Sequence, residues 1–177
     1  MKTLIVVSHS QGGETKKLIT ALIDGVSGQL FPELEIINED SVTIEPEKIL
    51  KADAIVLGTT ENFGYMSGAL KHFFDRIYYP CLDAKRGLPY QLIVNADTDG
   101  FGAVNSVEKI VIGLGWKRID KPLVFKGKIT SKTKLIYVES PGSNSFEFQD
   151  LSKIISIAKK YKLFTVIDNT WATPYFF

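Results

Sequence analysis

The chain has 177 residues, of which 45% are hydrophobic, and its 21 basic and 20 acidic residues leave a formal net charge of +1. A chain of this length buries one core of ordinary size, or one core with an appendage. The near balance of charge argues against a nucleic-acid partner and against binding to an anionic membrane surface. The longest apolar runs have the length of strands, well short of the roughly 18 to 20 residues that a membrane helix needs.

The chain contains a single cysteine, Cys81, which excludes an internal disulfide. The first ten residues pass from one lysine into a short apolar run and lack the pattern of a cleavable signal. These features predict a cytoplasmic protein in which Cys81 is a packed thiol.

Five short runs rich in Val, Ile and Leu have the composition of strands that are covered on both faces. They are residues 4–7, 34–37, 54–57, 91–94 and 123–125. Between them, apolar residues recur at helical spacing in three stripes. The stripes are Leu18, Leu22 and Val26; Leu70, Phe73, Phe74 and Ile77; and Val104, Val107, Ile110 and Leu114. Strands that alternate with helices predict a doubly wound α/β domain with a five-stranded parallel sheet.

The pattern changes after the fifth run. In place of a covering helix, residues 126–128 lead into a further strand at 135–139. A helix follows, with Asp150 as its expected N-cap, and then a strand at 164–167. One face of this helix carries Leu151, Ile154, Ile155 and Ala158. We therefore expect a first domain over residues 1–128 and an appended C-terminal βαβ segment over residues 129–177.

Ligands of an open parallel sheet bind beyond the carboxyl ends of its strands. The first loop at such an end, here named the phosphate loop, consists of Ser8, His9, Ser10, Gln11, Gly12, Gly13, Glu14 and Thr15. Backbone N–H groups at a helix N-terminus, together with the hydroxyls of Ser10 and Thr15, suit a phosphate group. An ordinary turn also favours glycine and serine, so a purely structural loop is the alternative.

Two further loops follow the third and fourth predicted strands. The aromatic loop, residues 58–68, contains Thr60, Glu61, Asn62, Phe63, Gly64 and Tyr65. Its glycines let a flat ring approach the backbone, while Phe63 or Tyr65 packs against that ring. The third loop, residues 95–102, contains Asn95, Ala96, Asp97, Asp99 and Gly100, which could supply donors to the polar edge of the same ring.

On these loops, residues 1–128 resemble the flavodoxin-like NAD(P)H-dependent FMN reductases, including their quinone-reductase branch. Residues 10–15 follow the phosphate-loop pattern of that family, residues 61–76 follow its segment around the flavin ring, and residues 95–102 follow its third flavin loop less distinctively. Two departures weaken the match at the phosphate. Gly12 stands where the family commonly has threonine, and Glu14 places a carboxylate beside the expected phosphate.

The resemblance implies FMN as the cofactor, NAD(P)H as the hydride donor and a quinone or other small molecule as the electron acceptor. It also implies a homo-oligomer, because a neighbouring subunit often completes such sites. No side chain is required as a catalytic acid or base, and no metal site is expected. His9 could contact the ligand, whereas His72 is expected on an exposed helix face.

The C-terminal segment, residues 133–177, resembles the pyridoxal-phosphate (PLP) enzymes of cysteine and methionine metabolism, with cystathionine beta-lyase as the nearest branch. Two strings carry this resemblance, Glu-Ser-Pro-Gly-Ser at 139–143 and Asp-Asn-Thr-Trp-Ala-Thr-Pro at 168–174. In that family the aspartate at the position of Asp168 pairs with the cofactor's ring nitrogen. No lysine follows Asp168, so we expect no PLP chemistry and interpret the segment as structural, its helix replacing the covering helix of the first domain.

Two other interpretations stay open. A flavodoxin-type electron carrier would share the fold and the cofactor, although such carriers are usually strongly acidic and residues 1–128 hold 15 basic and 16 acidic residues. The second is a non-catalytic chain in which the gene fusion has impaired the flavin site or its subunit interface.

Overall fold

A computed structural model describes residues 1–27, 33–128, 135–139, 151–160 and 164–168 of the chain. The chain divides into two compact units, Met1–Ile129 and Thr130–Phe177. In the described parts, no helix has both the length and the apolar character needed to cross a membrane.

The first unit alternates strands and helices. In chain order its elements are β1 (Lys2–Ser8), α1 (Glu14–Ser27), β2 (Leu34–Asp40), α2 (Pro46–Ile49), β3 (Ala54–Asn62), β4 (Tyr65–Met66), α3 (Gly68–Cys81), β5 (Pro89–Ala96), α4 (Phe101–Gly113), β6 (Lys117–Arg118) and β7 (Leu123–Lys126). All five predicted strands are present, as β1, β2, β3, β5 and β7, and the three apolar stripes fall on α1, α3 and α4. Only Leu114 lies just beyond its helix, as the C-cap of α4.

The sheet has the order β2-β1-β3-β5, and both β6 and β7 pair with β5 at that edge. These neighbouring strands are parallel, with Val6 of β1 opposite Val56 of β3. The short β4 is the exception and pairs antiparallel with the end of β3. The sequence did not predict α2, β4 or β6, because elements of two to four residues are too short to show a period.

Two apolar clusters cover the faces of this sheet. The larger cluster packs α3 and α4 against one face and includes Phe73, Phe74 and Val107, all at most 1% exposed. Burying a side chain of the size of Phe73 stabilises the fold by about 1.5 to 3 kcal/mol. The smaller cluster lies under α1 and contains Ile19 and Val56. The sheet is therefore fixed from both sides, and its loops rest on a rigid base.

The second unit contains β8 (Leu135–Glu139), α5 (Leu151–Lys160) and β9 (Phe164–Asp168). Its two strands form a parallel pair of their own, in register from Leu135 opposite Phe164 to Glu139 opposite Asp168. The predicted βαβ order is therefore present. The predicted N-cap at Asp150 and most of the two strings that resemble PLP enzymes lie outside the described residues.

Candidate functional site

Three loops leave the carboxyl ends of the adjacent strands β1, β3 and β5. The phosphate loop joins β1 to α1, the aromatic loop joins β3 to α3, and the third loop joins β5 to α4. Because these strands are parallel neighbours, their carboxyl ends meet at one edge of the sheet. The fold thus brings the three predicted groups of residues to the same edge.

Two hydroxyls of the phosphate loop make no hydrogen bond within the part of the chain that the structure describes. The Ser10 and Thr15 side-chain oxygens are both buried, and neither has a hydrogen-bond partner among the described residues. A buried hydroxyl without a partner costs roughly 1 to 3 kcal/mol. These oxygens lie where α1 begins, and the first backbone N–H groups of an α-helix have no partner within the helix itself. The site therefore has the donors that a phosphate would accept from.

The backbone of the phosphate loop leaves room for a ligand. A Cβ built on Gly12 or on Gly13 would meet no atom within 4 Å, and Gly13 has a φ of 85°. Gln11 is exposed, and Ser8 ends β1 against Gly58 of β3. The loss of a threonine hydroxyl at Gly12 is thus accompanied by open space at that position.

Glu14 does not stand as an uncompensated carboxylate in this loop. Its Oε1 lies 2.8 Å from the Lys17 ammonium, one turn further along α1. This pairing places a cation within the first turn of the helix and reduces the repulsion that the sequence suggests. Glu14 is therefore compatible with a phosphate nearby.

The end of β2 also supports the phosphate loop, through residues that the sequence did not single out. Asp40 lies 3.0 Å from the His9 ring nitrogen Nδ1, and the Ser41 backbone N–H donates to the Ser8 carbonyl. His9 is thus held against β2. The sequence gives only a weak indication of this role for Asp40, since an aspartate where a strand ends is common in any turn.

The aromatic loop is a tight hairpin. Asn62 pairs with Tyr65 across a two-residue turn in which Phe63 has a φ of 53° and Gly64 a φ of 71°. Two positive φ values in succession mark a type I′ turn, which favours Asn-Gly. A bulky residue at such a φ is strained, and strain of this kind concentrates at functional sites.

The strained turn is held by buried hydroxyls on both sides. The Ser67 backbone N–H donates to the Thr59 hydroxyl, which in turn donates to the Ser67 side chain at 3.1 Å. The Met66 N–H donates to the Ser106 hydroxyl of α4 at 3.0 Å. Thr60 continues β3 beside Asn95 of β5. The hairpin therefore projects from a fixed base.

Three aromatic side chains are exposed around this hairpin. Phe63 is fully exposed, Phe101 of α4 is 65% exposed and Tyr65 is 46% exposed. Exposed aromatic rings next to glycine backbone are the surface that a flat heterocycle requires. Phe101 lies in the third loop predicted from the sequence but was not named there as a site residue, because the polar residues and glycines of that loop carried the prediction.

The third loop is fastened to β7. The buried Asn95 amide donates to the Gly127 carbonyl at 3.1 Å, and the Gly127 N–H donates to the Ala96 carbonyl at 2.8 Å. Asp99 accepts from the Phe101 N–H, and Gly100, with a φ of 76°, is the N-cap residue of α4. The described contacts of Asn95 and Ala96 are thus structural, and their contact with a flavin ring stays a prediction.

Glu61 joins the aromatic loop to the third loop. Its carboxylate accepts from the Thr98 hydroxyl at 2.5 Å, from the Gly102 N–H at 2.9 Å and from the Ala103 N–H at 3.3 Å. The Thr98 hydroxyl, followed by the backbone N–H groups of α4, holds the pKa of Glu61 below its usual value, against the opposing effect of burial. Asp97, beside Thr98, is exposed.

Two titratable residues named in the sequence analysis, Cys81 and His72, lie outside the three loops. Cys81 is fully buried, as predicted, and burial raises the pKa of its thiol to about 11. His72 is exposed on α3, also as predicted. Within the described residues, no three His, Cys, Asp or Glu side chains group closely enough to hold a metal ion.

Comparison with sequence families separates the chain into two overlapping regions. The family of the NADPH-dependent FMN reductases matches residues 21–130, and the family of the Cys/Met metabolism PLP-dependent enzymes matches residues 103–177. The two matches overlap over residues 103–130, so similarity to the second family already begins inside α4. The first match begins at residue 21 and does not include the phosphate loop. The interpretation of that loop as a phosphate site therefore depends on its own residues and geometry.

Each of the curated relatives covers only part of this chain. A cystathionine beta-lyase from Coxiella burnetii is 48% identical over 46 residues, which are 26% of this chain and 12% of the relative. An L-alanine/L-glutamate racemase from Wolbachia pipientis is 49% identical over 49 residues, 28% of this chain and 12% of the relative. The chain spans between 12% and 24% of the length of such relatives. These two relatives are named for different reactions, so the similarity does not specify a reaction for this chain.

Solved structures show the fold of the chain. A flavodoxin from the domain Archaea superposes with a TM-score of 0.62 at 19% identity, covering 90% of this chain and 99% of that one. The flavodoxin-like fold predicted from the strand and helix pattern is thereby confirmed. The chain belongs to the NADPH-dependent FMN reductase family and carries a C-terminal region similar to the PLP-dependent enzymes of cysteine and methionine metabolism.

Proposed function

We propose that this protein binds FMN and uses NAD(P)H to reduce a small acceptor such as a quinone. The observation that carries the proposal is the pair of buried, unpartnered hydroxyls on Ser10 and Thr15 at the start of α1. Family membership supports the cofactor and the donor, and the exposed aromatic hairpin at the same sheet edge supports a ring site.

The phosphate loop would hold the phosphate of FMN. The hydroxyls of Ser10 and Thr15 and the first backbone N–H groups of α1 can donate to its oxygens, and the positive end of the helix dipole favours the anion. The open space at Gly12 and Gly13 lets the backbone approach closely. A phosphate is thus accommodated without a lysine or arginine contact.

The aromatic loop and the third loop would hold the flavin ring. Phe63, Tyr65 and Phe101 provide apolar contact and keep water from the ring, while backbone groups of the third loop can donate to its polar edge. FMN, when bound, supplies the acceptance of hydride from NAD(P)H and the delivery of electrons to the acceptor. The protein's contribution is to bind, orient and shield.

The first experiment is a titration of the purified protein with FMN and, separately, with riboflavin, followed by flavin fluorescence. We expect saturable binding of FMN and weaker binding of riboflavin, which lacks the phosphate. Replacing both Ser10 and Thr15 by alanine should weaken FMN by about 1 to 3 kcal/mol and leave riboflavin unchanged. A colourless protein without any fluorescence change on FMN addition would refute the proposal.

Anaerobic addition of NADPH or NADH to the FMN-loaded protein separates a reductase from an electron carrier. A reductase bleaches its flavin under these conditions, and a quinone then restores the absorbance. Bound FMN that neither nucleotide bleaches would instead favour the flavodoxin-type carrier. The near balance of charge in residues 1–128 supports the reductase, because an acidic surface typically serves a protein partner. The family resemblance suggests a homo-oligomer. Light scattering on the same samples measures its mass.

We also propose that residues 129–177 serve a structural role and perform no PLP chemistry. The matched part of this chain corresponds to only 12% to 24% of the length of the curated relatives, whereas a PLP site is assembled from many residues along such an enzyme. Addition of PLP should therefore produce no absorbance band that an Asp168→Asn change removes. A band that depends on Asp168 would overturn this interpretation.

A further inference from the structure

The two loops proposed to hold the flavin ring are joined through one carboxylate. Glu61 stands near the end of β3, two residues before the strained Phe63. Its three hydrogen-bond donors all come from the other side of the site, with the Thr98 hydroxyl in the third loop and the Gly102 and Ala103 N–H groups in α4. The carboxylate therefore spans both loops.

The occupied carboxylate changes the role expected of Glu61. Sequence resemblance suggests a residue that contacts the flavin, yet one oxygen of Glu61 already accepts from the Thr98 hydroxyl and the other from N–H groups of α4. Hydrogen bonds to a charged acceptor are roughly twice as strong as neutral ones. Three such bonds resist displacement by a ligand.

The surrounding geometry leaves little freedom at this junction. The backbones of Gly64 and Gly102 approach so closely that a Cβ on Gly102 would lie 1.9 Å from the Gly64 carbonyl oxygen. The Met66 N–H is in turn bonded to Ser106 of α4. Among the described residues, the hairpin and α4 thus touch at three places, and the contact through Glu61 extends furthest into the third loop, to Thr98.

We propose that Glu61 is a positioning residue that couples the Phe63 hairpin to the third loop, so that the two sides of the ring site keep a fixed spacing. The proposal rests on the proposed flavin site and deepens it. Glu61 acts through the loops and need not touch the ring.

Two variants of Thr98, the hydroxyl partner of Glu61, test this coupling and leave the charge of Glu61 in place. Thr98→Val deletes the hydroxyl donor at nearly constant shape, and Thr98→Ser keeps it. In the ligand-free protein, we expect Thr98→Val to raise amide hydrogen exchange at residues 62–66 by about threefold or more, and Thr98→Ser to leave it unchanged. Faster exchange confined to residues 97–102 would overturn the proposal, whether or not the protein binds flavin.

A double-mutant cycle on riboflavin binding gives the second test. Riboflavin is the probe because it lacks the phosphate and reports on the ring site alone. Glu61→Gln and Phe63→Ala, singly and together, should show a coupling of at least about threefold, above the scatter of independent sites. Glu108→Gln, which removes a carboxylate of α4 that is hydrogen-bonded to Arg118 of β6, should show none.

The outcomes distinguish the two hypotheses. If the wild-type protein binds neither FMN nor riboflavin, the proposed function fails, and the hydrogen-exchange comparison alone decides the role of Glu61. If the wild type binds riboflavin and the effects of Glu61→Gln and Phe63→Ala add, Glu61 only stabilises the fold and the coupling is refuted. Melting temperatures of all variants identify any loss of binding that reflects unfolding.

Discussion

Gly102 and Gly64 lie in direct backbone contact, and no side chain fits between them. A Cβ on Gly102 would stand 1.9 Å from the carbonyl oxygen of Gly64 and 2.4 Å from its carbonyl carbon. Both atoms belong to backbone, which cannot rotate aside as a side chain does. The spacing of the hairpin and α4 at the candidate ring site is therefore set by the absence of a side chain at residue 102.

The first prediction is that Gly102→Ala displaces the aromatic loop from α4. Overpacking typically costs about 1 to 3 kcal/mol, and here it should outweigh the roughly 1 kcal/mol that alanine gains over glycine in a helix. We expect a lower melting temperature and weaker binding of both FMN and riboflavin. Thermal melts and flavin titrations measure the two effects.

Gly113→Ala is the matched control, because Gly113 is the last residue of the same helix. A Cβ there would lie 2.6 Å from the Tyr78 hydroxyl, at the far end of a side chain that can move. We expect flavin affinity to stay unchanged. Equal loss of affinity in the two variants would show that the contact between Gly102 and Gly64 has no special part in the site.

The second prediction concerns the strain at Phe63. Its φ of 53° costs about 1 to 2 kcal/mol for a residue with a Cβ, whereas asparagine favours this position of a type I′ turn. Phe63→Asn should therefore raise the free energy of unfolding, by about 1 kcal/mol, and weaken FMN binding by removing an aromatic contact. Urea unfolding should therefore show a higher free energy of unfolding, while FMN titration shows a lower affinity. If Phe63→Asn is instead less stable than wild type, Phe63 stabilises the fold by packing against the protein and is not kept for contact with a ligand.

The alternation of strands and helices was readable from the sequence because each buried strand and each amphipathic stripe has a period of its own. Ser10, Thr15 and Phe63 could likewise be named as candidates from the sequence, since glycines with hydroxyls or aromatic residues follow predicted strands there, and their contact with a ligand stays a prediction. The roles of Glu61 and Asn95 were not. Whether a carboxylate or amide faces a ligand or its own backbone depends on contacts over 30 or more residues, as between Asn95 and Gly127. No local pattern records such contacts.

The third prediction is a pH dependence that belongs to Glu61. Hydrogen bonds lower the pKa of its carboxyl in the folded state, so protons bind it more readily in the unfolded chain. Its contribution to stability is complete above the unfolded-state pKa of about 4.3 and declines as the pH falls through the lower folded-state pKa. Glu61→Gln should therefore be less stable than wild type at pH 7, and the difference should shrink below pH ~4.5. Urea unfolding across this range measures the difference; a constant gap would contradict the assignment.

The fourth prediction separates ligand-directed hydroxyls from structural ones. Thr15 Oγ1 is buried without a partner in the described structure, so Thr15→Val replaces an unsatisfied polar atom by a methyl group of similar size. We expect the ligand-free variant to be more stable by about 1 kcal/mol, while FMN binds at least about fivefold more weakly and riboflavin binds as before. Thr59→Val is the contrasting case. Its hydroxyl bonds Ser67 in the buried base of the hairpin, so its loss should destabilise the ligand-free protein. If Thr15→Val instead lowers stability, Thr15 serves the fold, and the phosphate must be held by the backbone of α1 and Ser10 alone.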